Sequence, residues 1–313
     1  MERINMFVKT INVRGLEPQV LAEMQALAQQ NERSLEAEAR LAIRQWCQLQ
    51  QKQSSSQLEK YNQALSARLQ IVLDMANQIS HNKLSYSHIA EKFGHNDPSQ
   101  VQTWFTGEAV PSFNETEHLS FLLGCDANWL KHGTNSPYRR YFYDITKQSP
   151  LFFAKDFINT TLDGLPVYKL HIVLNENNGY IYCIQEFEQN HLCYTYLSSS
   201  FYLKGEYGSS GLANTARFIL MLLALDRLNS KVIIKGYTIE DKFAQSIFGK
   251  GEKHPLLFRA YSKESPWNED IIDKNYPMSY WEGYKSLQQK VHQYIDNDEL
   301  LTKYKKEILS SYD

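Results

Sequence analysis

The sequence predicts a multi-domain protein in which a β-α-α unit and an all-α unit precede an α+β domain. Three observations predict this class. Hydrophobic spacing is two over residues 7–14 and then becomes helical. It stays helical over residues 61–133, interrupted at Gly94, Gly107, Gly124 and Gly133. From about residue 140 tyrosine and phenylalanine crowd strand-like runs between turn signals. A length of 313 residues suits two or three domains, and 42% hydrophobic residues exclude wholesale disorder. The expected boundaries are 1–47, a linker at 48–60, then 61–138 and 139–313.

Composition narrows the function. Lys+Arg 33 against Asp+Glu 35 argues against a globally basic nucleic-acid coat and leaves local patches open. No run approaches a membrane span, and Met1-Glu2-Arg3-Ile4-Asn5 is no signal peptide. Four scattered cysteines fit a reducing cytosol, so a soluble, cytoplasmic protein is expected.

In the first unit, alternation puts Phe7, Ile11 and Val13 on one strand face and Val8, Thr10, Asn12 and Arg14 on the other. Gly15 ends the strand, and Pro18 suits the opening turn of a helix striped with Val20, Met24 and Leu27. Ser34 is a good N-cap for a second helix bearing Leu35, Ala39, Ala42, Ile43 and Trp46. Some 40 residues of this kind are too few to cover their own core, and a dimer with paired strands is the simplest remedy. The paired ribbon fits the DNA major groove. The Gln/Ser tract QLQQKQSSSQ at 48–57 reads as a linker or a fraying helix end.

The run Ile11-Asn12-Val13-Arg14-Gly15-Leu16, followed by Arg33-Ser34-Leu35-Glu36-Ala37-Glu38-Ala39-Arg40, resembles the ribbon–helix–helix (Arc-type) fold of plasmid-stability and antitoxin regulators. The resemblance covers about 40 residues and implies a DNA-binding dimer. It assigns base reading to Thr10, Asn12 and Arg14, and phosphate contact to Arg33 and Ser34. The alternative reading makes Arg14 a solvated strand end and Ser34 an ordinary cap.

The second unit reads as five helices. Ser85 caps one over Tyr86–Phe93, and Gly94-His95-Asn96-Asp97 makes a turn. Pro98 opens the next, with Val101, Trp104 and Phe105 inside and Ser99, Gln100, Gln102 and Thr103 outside. Ile89-Ala90-Glu91-Lys92-Phe93-Gly94, Val101-x-x-Trp104-Phe105-x-Gly107, Val110-Pro111-Ser112 and Asp126-Ala127-Asn128-Trp129-Leu130 are similar to the phage-repressor (Cro/C1-type) helix-turn-helix family. That likeness implies that Ser99, Gln100, Gln102 and Thr103 face DNA. Gln is a good bidentate partner for adenine. The turn is one residue longer than the family's, and Tyr86 stands where the family often has Gln. The bland reading keeps the fold for dimerisation or partner contact.

In the third region, strands at Val167–Leu174, Tyr180–Glu186 and Leu192–Leu203 precede a helix at Leu212–Leu228 and a strand at Lys231–Lys235. This order is similar to a ribonuclease-H-like fold. Such enzymes need converging carboxylates on Mg²⁺. Lys169-Leu170-His171-Ile172 has no Asp, Asn214 and Arg217 stand where an acid belongs, and Glu240 with Asp241 make no two-metal site. A degenerate, non-enzymatic domain for oligomerisation, partner or ligand binding is expected. Cys183, His191 and Cys193 suggest zinc but lack a fourth ligand and a usual spacing, so buried structural residues are the better reading. No metal and no cofactor are expected.

The sequence thus points to a sequence-specific transcriptional regulator binding double-stranded DNA as a homodimer or higher oligomer. The alternatives are a plasmid or phage antitoxin that represses its own operon, or a DNA-segregation protein. A toxin, RNA polymerase or another protein would then meet the C-terminal domain.

Overall fold

A computed structural model describes residues 13–80, 82–187, 192–198, 201–205, 208–228 and 231–311, with side chains described outside 51–56. The protein is multi-domain, combining helices with a mixed seven-stranded sheet. The chain divides into two units, Met1–Tyr61 and Asn62–Asp313.

In the first unit, helix α1 (Pro18–Gln30) starts on its proline, and α2 (Leu35–Ile79) starts on Ser34, whose Oγ accepts from the Ala37 N–H at 3.2 Å. Asn31 and Arg33 both reach Glu38, at 3.2 and 3.4 Å, and tie the turn to α2. Among the described residues of this unit only Ala28 and Glu38 are buried. Val13, Leu16, Val20, Leu21, Leu27, Ile43, Trp46, Leu49 and Leu58 are exposed. The strand expected at 7–14 falls almost wholly outside the described residues, as do Thr10 and Asn12.

Residues 48–60, expected as a linker or a fraying helix end, lie within α2. No Gly or Pro interrupts 35–79, and Gln, Lys and Glu are good helix formers, so a polar tract without breakers continues the helix.

In the second unit, the end of α2 buries Leu65, Leu69, Val72, Leu73 and Ala76. Helices α3 (Tyr86–Phe93), α4 (Ser99–Thr106), α5 (Phe113–Leu122) and α6 (Ala127–His132) follow. The end of α2 is tied to them by polar bonds. Ser66 Oγ donates to the Phe105 carbonyl at 2.6 Å, and Arg68 donates to the Leu130 and Lys131 carbonyls at 2.8 and 3.2 Å.

The sheet comprises β1 (Arg140–Tyr143), β2 (Thr161–Leu162), β3 (Leu165–Asn175), β4 (Ile181–Phe187), β5 (Cys193–Ser198), β6 (Ile233–Ile239) and β7 (Ser262–Glu264). Its order is β1-β5-β4-β3-β6-β7, with β2 paired to β3. β3, β4 and β5 form an antiparallel meander; β6 lies parallel to β3, with Ile172 opposite Gly236. The helices around it are α7 (Pro150–Asn159), α8 (Ser209–Arg227), α9 (Asp241–Phe248), α10 (Trp267–Asp270), α11 (Tyr284–Asn297) and α12 (Glu299–Ser310). A 3-10 helix, Pro255–Ala260, joins them.

Alternation along β3 and β4 separates two cores. Leu170, Ile172, Leu174, Ile181 and Cys183 pack with residues of α7, α8, α11 and α12. Val173, Tyr182 and Ile184 pack with residues of α9 and the 3-10 helix. Both faces are covered, which is why all seven residues of β4 are buried. Gly236 in β6 is required by packing, because a Cβ there would collide with Asn268 Oδ1 and the Ser265 carbonyl.

One polar cluster sits inside the second core. His171 Nε2 meets Glu186 Oε2 at 2.7 Å, and Arg259 from the 3-10 helix bonds to Glu186 and lies 3.2 Å from His171 Nε2. Lys169 on β3 and Tyr237 on β6 also face this histidine. Burial pushes its pKa from 6.5 down to about 4 despite the Glu186 bond. Burial opposes ionisation of Glu186, yet the His171 and Arg259 bonds outweigh it and hold the carboxylate's pKa below its usual value.

The linkage has a definite sign. Unfolded His171 binds a proton near pH 6.5 and folded His171 only near pH 4, so stability falls as pH drops through that window. The Glu186 contribution is present above the unfolded carboxylate value and is lost as pH falls through the lower folded one. A loss of up to about 3 kcal/mol between pH 7 and pH 4 is expected from His171. Urea unfolding at a series of pH values checks it. His171→Gln should flatten the profile between pH 4 and 6.5, and an unchanged slope would refute the assignment.

Candidate nucleic-acid interface

Helices α3 and α4 build a polar surface. Ser85 Oγ accepts from the His88 N–H, and His88 Nδ1 accepts from the Ser85 N–H at 3.2 Å, closing a capping box at the start of α3. Gly94 ends α3 at φ 73°, where a left-handed residue favours glycine. The connection then runs five residues, 94–98, consistent with the long turn expected.

Aromatic packing fixes how α4 is rolled. Val101, Trp104 and Phe105 are buried. Trp104 meets Phe93 edge-on at 5.4 Å between ring centroids, and Phe105 meets Tyr86 at 4.8 Å. With that side committed, Ser99, Gln100, Gln102 and Thr106 are exposed, and Thr103 is half-buried.

The four expected contacts on α4 are not chemically equivalent. The Gln100 and Gln102 amides have no hydrogen-bond partner among the described residues, so each offers a donor and an acceptor. Thr103 Oγ1 donates to the Gln100 carbonyl at 2.7 Å, which leaves it only acceptor capacity. Ser99 serves the helix start. Asp97 Oδ1 accepts from the Ser99 N–H at 2.8 Å, and bonds from the Ser99 side chain and backbone hold the Asp97 carboxyl below the usual range. That carboxylate occupies the end of α4 where a phosphate would otherwise be drawn.

Cations around this surface are few. Lys92 is exposed in the last turn of α3, and Lys83 bonds to the Asn77 carbonyl. Lys131 pairs with Glu117. By count, residues 61–140 carry six Lys/Arg and seven Asp/Glu.

In the first unit Ser34 acts as the N-cap of α2, Arg33 leans on Glu38, and Arg14 is exposed outside any strand. The bland local roles of Arg33 and Ser34 are thus occupied.

The remaining sequence candidates separate. Cys183 faces the first core and Cys193 the second, on opposite sides of the sheet, so they cannot share an ion; His191 lies outside the described residues. Burial pushes the Cys183 thiol up to about 12, as befits a packing residue. Asp241 Oδ1 accepts from the Asn175 and Asn178 amides at 2.7 and 3.0 Å, and Glu240 pairs with Lys242. Arg217 lies over the Tyr304 ring. Among the described residues no three His, Cys, Asp or Glu side chains gather as a metal site, and no helix is long and apolar enough to cross a membrane. The His171–Glu186–Arg259 cluster escaped sequence reasoning, since its members stand 15 and 73 residues apart. Comparison with known protein families, curated proteins and solved structures finds no match to this chain.

Proposed function

We propose that the protein is a sequence-specific DNA-binding regulator that acts as a homodimer, with α3 and α4 as its helix-turn-helix element. The observation that carries the reading is the division of α4, whose aromatic side is locked inward while two unengaged glutamine amides stand outside. A helix braced across a turn and showing small polar side chains is what major-groove reading requires. The resemblance of residues 11–40 to ribbon–helix–helix regulators supports a second DNA contact, and the uncovered apolar side chains of the first unit support dimerisation. The C-terminal domain serves assembly, partner contact or ligand sensing, and its meander, crossover helix and parallel fourth strand support the ribonuclease-H-like likeness.

With so few cations near α4, affinity rests on base contacts more than on phosphate neutralisation. The test is binding of the full chain to DNA flanking its own gene, with salt and sequence varied. Gln100→Ala should cost about 1–3 kcal/mol at the specific site and little on random DNA. Equal affinity of the variant and the natural chain for the specific site would remove α4 as the reading helix.

A further inference from the structure

A second site lies where the helices meet the sheet. A half-open cavity of about 230 Å³ is lined by α5, the α5–α6 turn, the segment before β1, and β1, β2 and β5. An apolar cavity of about 150 Å³ holds a benzene ring, so this one has room for a single substituted ring and little more.

Its lining is aromatic with one strong polar group. Phe121, Leu162, Tyr141 and Tyr194 form walls, and the Tyr141 and Tyr194 rings stand edge-to-face at 5.4 Å. Cys125 and Cys193 add soft surface; burial pushes both thiols up, so they stay neutral. Arg139 also lines the cavity and keeps 55% of its side chain exposed. Asp126, 3% exposed, accepts from Arg139 Nε and from the Trp129 N–H at 2.8 Å, which consumes its carboxylate. With Nε on Asp126 and a further bond to the Tyr141 side chain, the guanidinium still has N–H groups left to offer a carboxylate.

We propose that this cavity binds a single-ring aromatic carboxylate, its ring among Phe121, Tyr141 and Tyr194 and its carboxylate on Arg139. Ring edges and faces satisfy the aromatic walls. Asp126 balances the Arg139 charge, so preference for an acid over an isosteric amine rests on the guanidinium's remaining N–H donors, which an ammonium cannot accept. The walls come from both the helices and the sheet, so an occupant ties the two together. Any effect on DNA affinity rests on the DNA-binding reading above; binding of the ring does not.

The experiment is calorimetric titration of the full chain, without DNA, using 4-hydroxybenzoate as probe and 4-hydroxybenzamide and benzylamine as neutral and cationic comparisons. The acid should bind saturably at one site per chain and tighter than the amide, with no binding of the amine. Arg139→Gln should weaken the acid by about ten- to a hundredfold and leave the amide unchanged. Leu162→Trp, in the two-residue strand β2, should fill the cavity and abolish both, with circular dichroism checking that the variant folds. Absence of saturable binding, or an acid affinity untouched by Arg139→Gln, overturns the proposal. Because no DNA is present, a chain that binds no DNA leaves this titration intact, and the two failures stay distinguishable.

Discussion

Arg259→Met is expected to destabilise the second unit by about 3 kcal/mol, near the lower end of what breaking a buried ion pair costs. Glu186 is 6% exposed at the side chain, and its charge is held by His171 and Arg259. Neutral His171 can donate one hydrogen bond but cannot balance a carboxylate, so removing the guanidinium leaves an uncompensated buried charge. Arg259 keeps 38% of its side chain in contact with solvent, and that screening places the figure toward the lower end. Methionine retains much of the stem's apolar contact, so the loss reports charge rather than packing. Urea unfolding at pH 7 measures it. The double variant Arg259→Met, Glu186→Leu removes both charges and should recover most of the loss, since an apolar pair of similar volume often replaces a buried ion pair at no cost. A single variant within about 0.5 kcal/mol of the natural chain, the ordinary range for surface changes, would show the cluster to be energetically idle.

What could be read from the chain in advance divides by range of interaction. The α3–α6 helices were legible because their signals are local. Ser85 and Ser112 cap, Gly94 and Gly107 terminate, and the inward residues recur at helical spacing. The hairpin of β3 and β4 was legible for the same reason, its turn being the Asn175–Gly179 run. Strand β1 was not, because Arg140–Tyr143 becomes a strand only by pairing with Thr195–Ser198, more than 50 residues later. β7 likewise exists only against Tyr237–Ile239. At 48–60 the Gln/Ser composition left a linker or a fraying helix end open, and the tract lies within α2 because no residue there breaks a helix. On α4 the sequence showed which side chains face out, but not that Ser99 and Thr103 are already engaged by Asp97 and the Gln100 carbonyl.

Ile43→Glu combined with Trp46→Glu is expected to leave the chain monomeric and to lower its affinity for specific DNA by about 10²–10⁴-fold, the range that linked binding contributes. The first unit explains why. Helices α1 and α2 bury only Ala28 and Glu38 among its described residues, while Trp46 stands 63% exposed with Ile43, Leu27 and Leu49 also uncovered. Helical segments that cover as little of their apolar surface as α1 and the first part of α2 gain stability from a partner. A second copy of the chain is the partner the reading requires, and charge does not oppose it: residues 1–60 carry eight Lys/Arg and seven Asp/Glu, so two such units do not repel strongly. Placing carboxylates at two adjacent positions of the same helix face makes dimer burial costly while leaving α3 and α4 untouched. Light scattering coupled to gel filtration reads the mass, and titration of specific DNA reads the affinity. If the variant remains a dimer, the first unit does not hold the assembly. If it becomes a monomer yet binds as tightly as before, dimerisation and DNA reading are separate properties, because the avidity argument requires both to fall together.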